Sequence, residues 1–306
     1  MGARRPVAGA GRGARGRDRG RDRHLGDRAR SRKRAPHYTS PFPRRIAVKH
    51  RRPILISTVQ YHDELTSGSV SSLDLIPVAQ KLGADGIELR ESYWTDPERE
   101  VPEARRRIDE LGLVVTYATG ATLFPGESSR VETVRRHVDT AVELGSPIVR
   151  VFHGPAVAPG DPEPWAAARE AVEYAAKRGI VVALENLWKG AGRTAAEIRA
   201  VLDAIPALKT NVDVGNYYIS DDDLPAAIRL LGDRIVYTQL KDNAGDADGT
   251  YLGGGRIPLS AALDALDALP QSFPYCFEFA GGGEPEARIT RSLEYLKARV
   301  RPGGAS

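Results

Sequence analysis

From residue 53 onward, short β-branched runs alternate with longer stretches in which apolar residues recur every three or four positions. The first run covers 53–61, and a helical stretch follows over 73–82. The pattern then repeats as strand 86–90 and helix 102–111, strand 113–117 and helix 130–144, strand 148–152 and helix 165–178. Gly112, Gly145 and Gly179 each stand where one of these helices should stop, the position glycine favours at a helix C-terminus. Four more strands are expected at 180–184, 209–214, 235–240 and 275–279, with helices near 194–204, 222–231, 260–268 and 285–298. Eight strand–helix units within 246 residues predict a single α/β (β/α)8 TIM barrel, a fold of about 250 residues. A doubly wound sheet would need a glycine-rich phosphate loop after an early strand, and neither 83–86 nor 120–126 has that form.

The first 44 residues follow neither period. Residues 1–34 hold 12 Arg and one Lys against three Asp, a charge of +10, so the net +4 of the chain leaves −6 on the remaining 272 residues. So few apolar residues cannot offset the entropy of ordering, and 1–44 is expected to be a disordered Arg/Gly-rich tail ahead of a barrel domain over 45–306. A nucleic-acid-binding arm would want aromatic residues for base stacking, and none precedes Tyr38. A solvated tail is therefore the preferred reading. The single cysteine excludes a disulfide framework and a Cys-based zinc or iron–sulfur site within one chain. No apolar run approaches the roughly 18 residues of a membrane span, and the N-terminal arginines lack the apolar stretch of a secretory signal. A soluble cytoplasmic protein with no membrane partner is expected.

Barrel enzymes build their sites at the C-terminal ends of the strands. Strand five ends in Glu185-Asn186, strand six in Asp213-Val-Gly-Asn216, strand seven in Gln239-Leu-Lys241-Asp242, and strand eight reaches Glu278. Strand two contributes Glu88 and strand four leads into His153. A polar residue inside an apolar run is costly to bury unless it is paired or binds something. Alternation can turn Glu185, Asp213 and Glu278 into one barrel mouth, where a divalent cation would relieve their repulsion. The competing reading is that these acids form salt bridges with Arg150, Lys209, Lys241 or Arg256. Around this core, Glu88, His153, Asn216, Lys241, Arg256 and Trp188 are candidates for substrate contact. Cys276 is expected to face the helices as a buried apolar residue.

Gly86-Ile-Glu-Leu, Leu184-Glu185-Asn186, Asp213-Val-Gly-Asn216, Gln239-Leu-Lys241-Asp242, Gly253-Gly-Gly-Arg256 and Glu278, in that order, resemble the sugar phosphate isomerase/epimerase family of xylose isomerase-like TIM barrels. The resemblance covers 53–298 and implies one divalent metal held by Glu185, Asp213, Gln239 and Glu278. It further implies that Glu185 and Glu278 are catalytic, relaying a proton at the carbon next to a carbonyl through an enediolate. The expected histidine on strand seven is Gln239 here, and a histidine often found after the strand-six Asp is absent, with Asn216 or Tyr217 near that place. An all-oxygen set favours Mn²⁺ or Mg²⁺ over Zn²⁺. The DNA-repair endonucleases of this barrel need several histidines for zinc; with only His62, His137 and His153 beyond His50, this body lacks them. The implied function is a metal-dependent isomerase or epimerase of a ketose, keto-sugar or related polyol, acting as a homo-oligomer. Two alternatives share the site: a dehydratase or C-glycoside lyase on a keto-sugar or keto-cyclitol, and a catalytically inactive sugar-binding barrel.

Overall fold

A computed structural model describes residues 52–124, 131–245 and 249–300. The tail assigned to 1–44 lies outside these. Eight parallel strands close into a barrel in sequence order. They are β1 (Ile54–Ser57), β2 (Gly86–Arg90), β3 (Val114–Thr122), β4 (Ile148–Phe152), β5 (Val181–Glu185), β6 (Lys209–Asp213), β7 (Ile235–Leu240) and β8 (Tyr275–Phe277). Pairing of Ile54 with Tyr275 and of Ile56 with Phe277 joins the last strand to the first. The eight outer helices are α2 (Ser72–Lys81), α3 (Pro97–Leu111), α4 (Val131–Leu144), α5 (Pro162–Lys177), α6 (Ala195–Ala204), α8 (Leu224–Leu231), α9 (Leu259–Asp267) and α10 (Pro285–Val300). Two short helices, α1 (His62–Ser67) and α7 (Val214–Ile219), follow β1 and β6 at the mouth. No helix among the described residues is long and apolar enough to cross a membrane.

Local chemistry explains where the elements begin. Ser71 and Thr194 form capping boxes with Asp74 and Glu197 at the starts of α2 and α6. Helix α3, expected from residue 102, starts five residues earlier than periodicity suggested, because Pro97 suits the first helical position and Glu100 accepts the Thr95 and Asp96 amides. A large apolar layer lies between strands and helices, fed by the outward residues of each strand, such as Ile87, Leu89, Val149, Val151, Leu184 and Phe277. A smaller cluster of Leu55, Ile148, Ala183, Tyr237 and Cys276 fills the barrel interior. Cys276 therefore faces inward, against expectation. It lies two residues before Glu278, and strand alternation places both on one face.

Candidate active site

Above the apolar plug the inward positions turn polar. Parallel register sets Glu88 beside Thr116, Glu185 beside Asn211, and Asp213 beside Gln239. These side chains and their neighbours form one connected network. At its floor, Glu88 is fully buried; its Oε1 accepts from Ser57 Oγ at 2.7 Å and Arg90 Nε at 3.3 Å. Its Oε2 accepts from the Tyr237 hydroxyl at 2.8 Å and Gln239 Nε2 at 3.0 Å. Burial raises the Tyr237 phenol well above its ordinary range, so it remains a donor.

Three cations thread between four carboxylates. Arg150 Nε lies 2.8 Å from Glu185 Oε2, which also accepts from Asn211 Nδ2 at 3.0 Å. Lys241 Nζ bridges Asp213 Oδ2 at 2.9 Å and Glu278 Oε2 at 2.5 Å. Arg90 donates to Glu278 Oε1. The other oxygen of Asp213 caps α7, accepting the amides of Gly215 at 2.9 Å and Asn216 at 3.0 Å. Seven of the eight oxygens on Glu88, Glu185, Asp213 and Glu278 thus hold partners; among the described residues, Glu185 Oε1 has none. Gly215 makes room for this arrangement, since a Cβ there would come within 2.5 Å of the Lys241 chain.

The electrostatics separate the carboxylates. Burial pushes Glu185 up to about 7; Arg150 opposes the shift, while Asp213 and Glu278 add to it. Burial likewise raises Asp213, against the pull of Lys241. For Glu278 burial acts in the same sense, but Lys241 and Arg90 override it and hold the carboxyl at about 2. Desolvation works against the charge on Lys241, yet Asp213 and Glu278 outweigh it and raise its pKa. One acid is therefore poised near neutrality and another is locked as an anion.

The side chains expected to bind metal all sit in this network, but each is engaged otherwise. Gln239 donates its amide to Glu88 and accepts from Asn211 Nδ2 at 2.7 Å through the oxygen a metal would need. No three His, Cys, Asp or Glu side chains among the described residues converge closely enough to hold a metal ion. A divalent ion between Asp213 and Glu278 would also meet the Lys241 ammonium already bridging them. The donor set as arranged does not fit such an ion.

The expected substrate contacts divide. Glu88 and Lys241 belong to the network. Asn216 donates to the Asn186 carbonyl at 3.0 Å and serves to hold the loop. His153 packs against Phe124 with the rings tilted and their centroids 4.9 Å apart, and Gly192, at φ +77°, packs directly against it. Trp188 and Arg256 lie exposed on the rim, with the Lys189 ammonium 4.7 Å from the Trp188 ring. Of the salt-bridge partners weighed from the sequence, Arg150 and Lys241 pair with the acids. Arg90 and Asn211 were overlooked, although each shares strand parity with a candidate acid, Glu88 and Asp213 respectively.

A family model described as xylose isomerase-like TIM barrel matches residues 76–299. A search of curated proteins finds no match. Among solved structures, D-allulose 3-epimerase from Methylomonas sp., in complex with D-allulose, superposes with a TM-score of 0.67 at 20% identity, covering 82% of this chain and 98% of that one. A probable 3-DHS dehydratase from Bacillus anthracis gives 0.67 at 16% identity, over 80% and 98% of the two chains. The 3-keto-D-glucoside 4-epimerase of E. coli gives 0.64 at 18% identity, over 81% and 100%. Identities this low speak for the fold.

Proposed function

The chain belongs to the xylose isomerase-like TIM barrel family, and from that premise we propose that its mouth moves a proton at the carbon beside the carbonyl of a keto-sugar or related polyol. The observation that carries this reading is Glu185: a buried carboxyl pushed up to about 7, its Oε2 paired with Arg150 and its Oε1 without a partner among the described residues. General-base catalysis is most effective when the base titrates near working pH. In this reading Glu185 takes the proton from carbon, the C–H electron pair becomes the carbon–carbon double bond, and the carbonyl electrons move onto oxygen. Lys241 and Arg90, which reach the mouth with side-chain exposures of 15% and 17%, face the oxygen that gains charge. Glu278 holds both cations in place and remains ionised.

Return of the proton from Glu185 to the neighbouring carbon, with the hydroxyl proton of the enediolate passing to the other oxygen, completes an isomerisation. The names of the structural neighbours, sugar epimerases and a dehydratase, support chemistry that begins in this way. Elimination is the second reading, favoured by the same single poised acid: the enediolate electrons re-form the carbonyl and expel a β-hydroxyl, which takes the proton held by Glu185 and leaves as water.

Incubation of the protein with ketohexoses and 3-keto-glucosides in D₂O tests the reading. Deuterium at the carbon next to the carbonyl is expected by NMR, and Glu185→Gln should reduce its rate at least a hundredfold while the protein stays folded. Undiminished exchange in a folded Glu185→Gln variant would refute the assignment. Product mass separates the readings, because elimination removes water.

A further inference from the structure

We infer that the Lys241 ammonium is the resident cation of this mouth, occupying the place between Asp213 and Glu278 that a divalent ion would need, and that the native protein therefore binds no such ion there. The ammonium touches one oxygen of each acid, at 2.9 and 2.5 Å. The remaining oxygens of both acids are taken up by fixed donors: two backbone amides of α7 for Asp213, and Arg90 for Glu278. Gln239, on the strand position beside Asp213, is bonded at both ends of its amide. Of the four expected ligands only Glu185 keeps an oxygen without a partner among the described residues. Asp213, Glu278 and Gln239 cannot turn toward a metal without breaking a bond inside a buried site, where an uncompensated polar group is costly.

The charge balance points the same way. Four carboxylates and three cations leave the mouth one unit negative when all are ionised, so a divalent ion would make it one unit positive. Removing Lys241 alone leaves two negative charges, which one divalent ion neutralises. The site is thus one substitution away from a metal-binding charge balance. Gly215 is part of this device: the Lys241 chain crosses directly above it, and a Cβ there would meet the Cδ, Cγ and Cε atoms at 2.5 to 3.0 Å. The inference concerns which cation the site holds, and its test does not depend on the reaction assigned above.

Mn²⁺ titration of the full chain, followed by the EPR signal of free Mn²⁺, is the experiment. The wild-type protein is expected to leave the signal undiminished at equimolar Mn²⁺. Lys241→Met, and Lys241→Met combined with Gln239→His, are expected to bind one equivalent at least tenfold more tightly than wild type, and to lose it again on Asp213→Asn. Lys241→Gln serves in place of Lys241→Met if the latter fails to show a folded circular-dichroism spectrum. Stoichiometric Mn²⁺ binding by the wild type that disappears on Asp213→Asn overturns the inference. So does failure of the folded Lys241 variants to bind, since the ammonium would then not be what keeps the ion out.

Discussion

Arg150→Met probes the ion pair on which the candidate base depends. Arg150 is 3% exposed; its guanidinium pairs with Glu185 Oε2 at 2.8 Å, donates to the Thr119 carbonyl at 2.6 Å, and lies 4.4 Å from the Phe152 ring centre. Methionine keeps much of the volume and none of the charge. Removing one member of a buried pair costs about 3–5 kcal/mol, because the other is left uncompensated. Here the left-over group can escape by taking up a proton, which makes the cost depend on pH. In the wild type, the Glu185 carboxyl sits at about 7 against an ordinary 4.5. The folded state thus binds the proton more tightly than the unfolded state, and the stability this brings is complete below about pH 4.5 and lost as pH rises through 7. At 1.36 kcal/mol per unit it amounts to about 3 kcal/mol. Without Arg150 the folded pKa moves higher still, so the loss continues further into alkaline pH. Arg150→Met should therefore differ modestly from wild type at pH 5 and by about 3–5 kcal/mol at pH 9. For a barrel of this size that corresponds to a Tm drop of roughly 6–20 °C. Urea and thermal unfolding at the two pH values measure it, and Arg150→Met/Glu185→Gln should recover most of the alkaline deficit. A deficit equal at both pH values, or undiminished in the double variant, would show that the pair is not what stabilises this site.

Two further outcomes follow from the interior packing. Cys276, buried inside the barrel against Tyr237, should not react with a thiol reagent such as DTNB in the native protein and should titrate as one thiol once urea unfolds it. Asp242 accepts the amides of Asn243 at 2.8 Å and Ile257 at 2.9 Å through one oxygen and Gly253 at 3.1 Å through the other. Asp242→Ala should cost at least about 2 kcal/mol in urea unfolding and open the segment after β7 to limited proteolysis, since three amides lose a charged acceptor.

The barrel was legible because its periodicity is a local property. Strand and helix repeat eight times, and glycine or proline punctuates the boundaries; each signal acts within a few residues of itself. The acids at the strand ends were legible for the same reason, since Glu185 or Gln239 is conspicuous within an apolar run. Cys276 shows how the same rule can be misapplied: parity with Glu278 placed it inside. Boundaries slipped where a proline began a helix earlier than its apolar stripe, as at Pro97 and Pro162.

What partners those acids take is a different kind of question. Sequence alone brought Glu185, Asp213, Gln239 and Glu278 to one end of one fold, and it named Arg150 and Lys241 as rivals to a metal. It could not choose between them, because the choice rests on contacts across the barrel between residues as far apart as Glu88 and Gln239 or Arg90 and Glu278. Strand register and the closure of β8 on β1 decide those contacts, together with the space Gly215 leaves for one lysine chain. Only the closed barrel sets Lys241 between two carboxylates, and only there does burial separate the pKa of Glu185 from that of Glu278. The charge a residue carries depends on which groups surround it after folding, and that is a tertiary property.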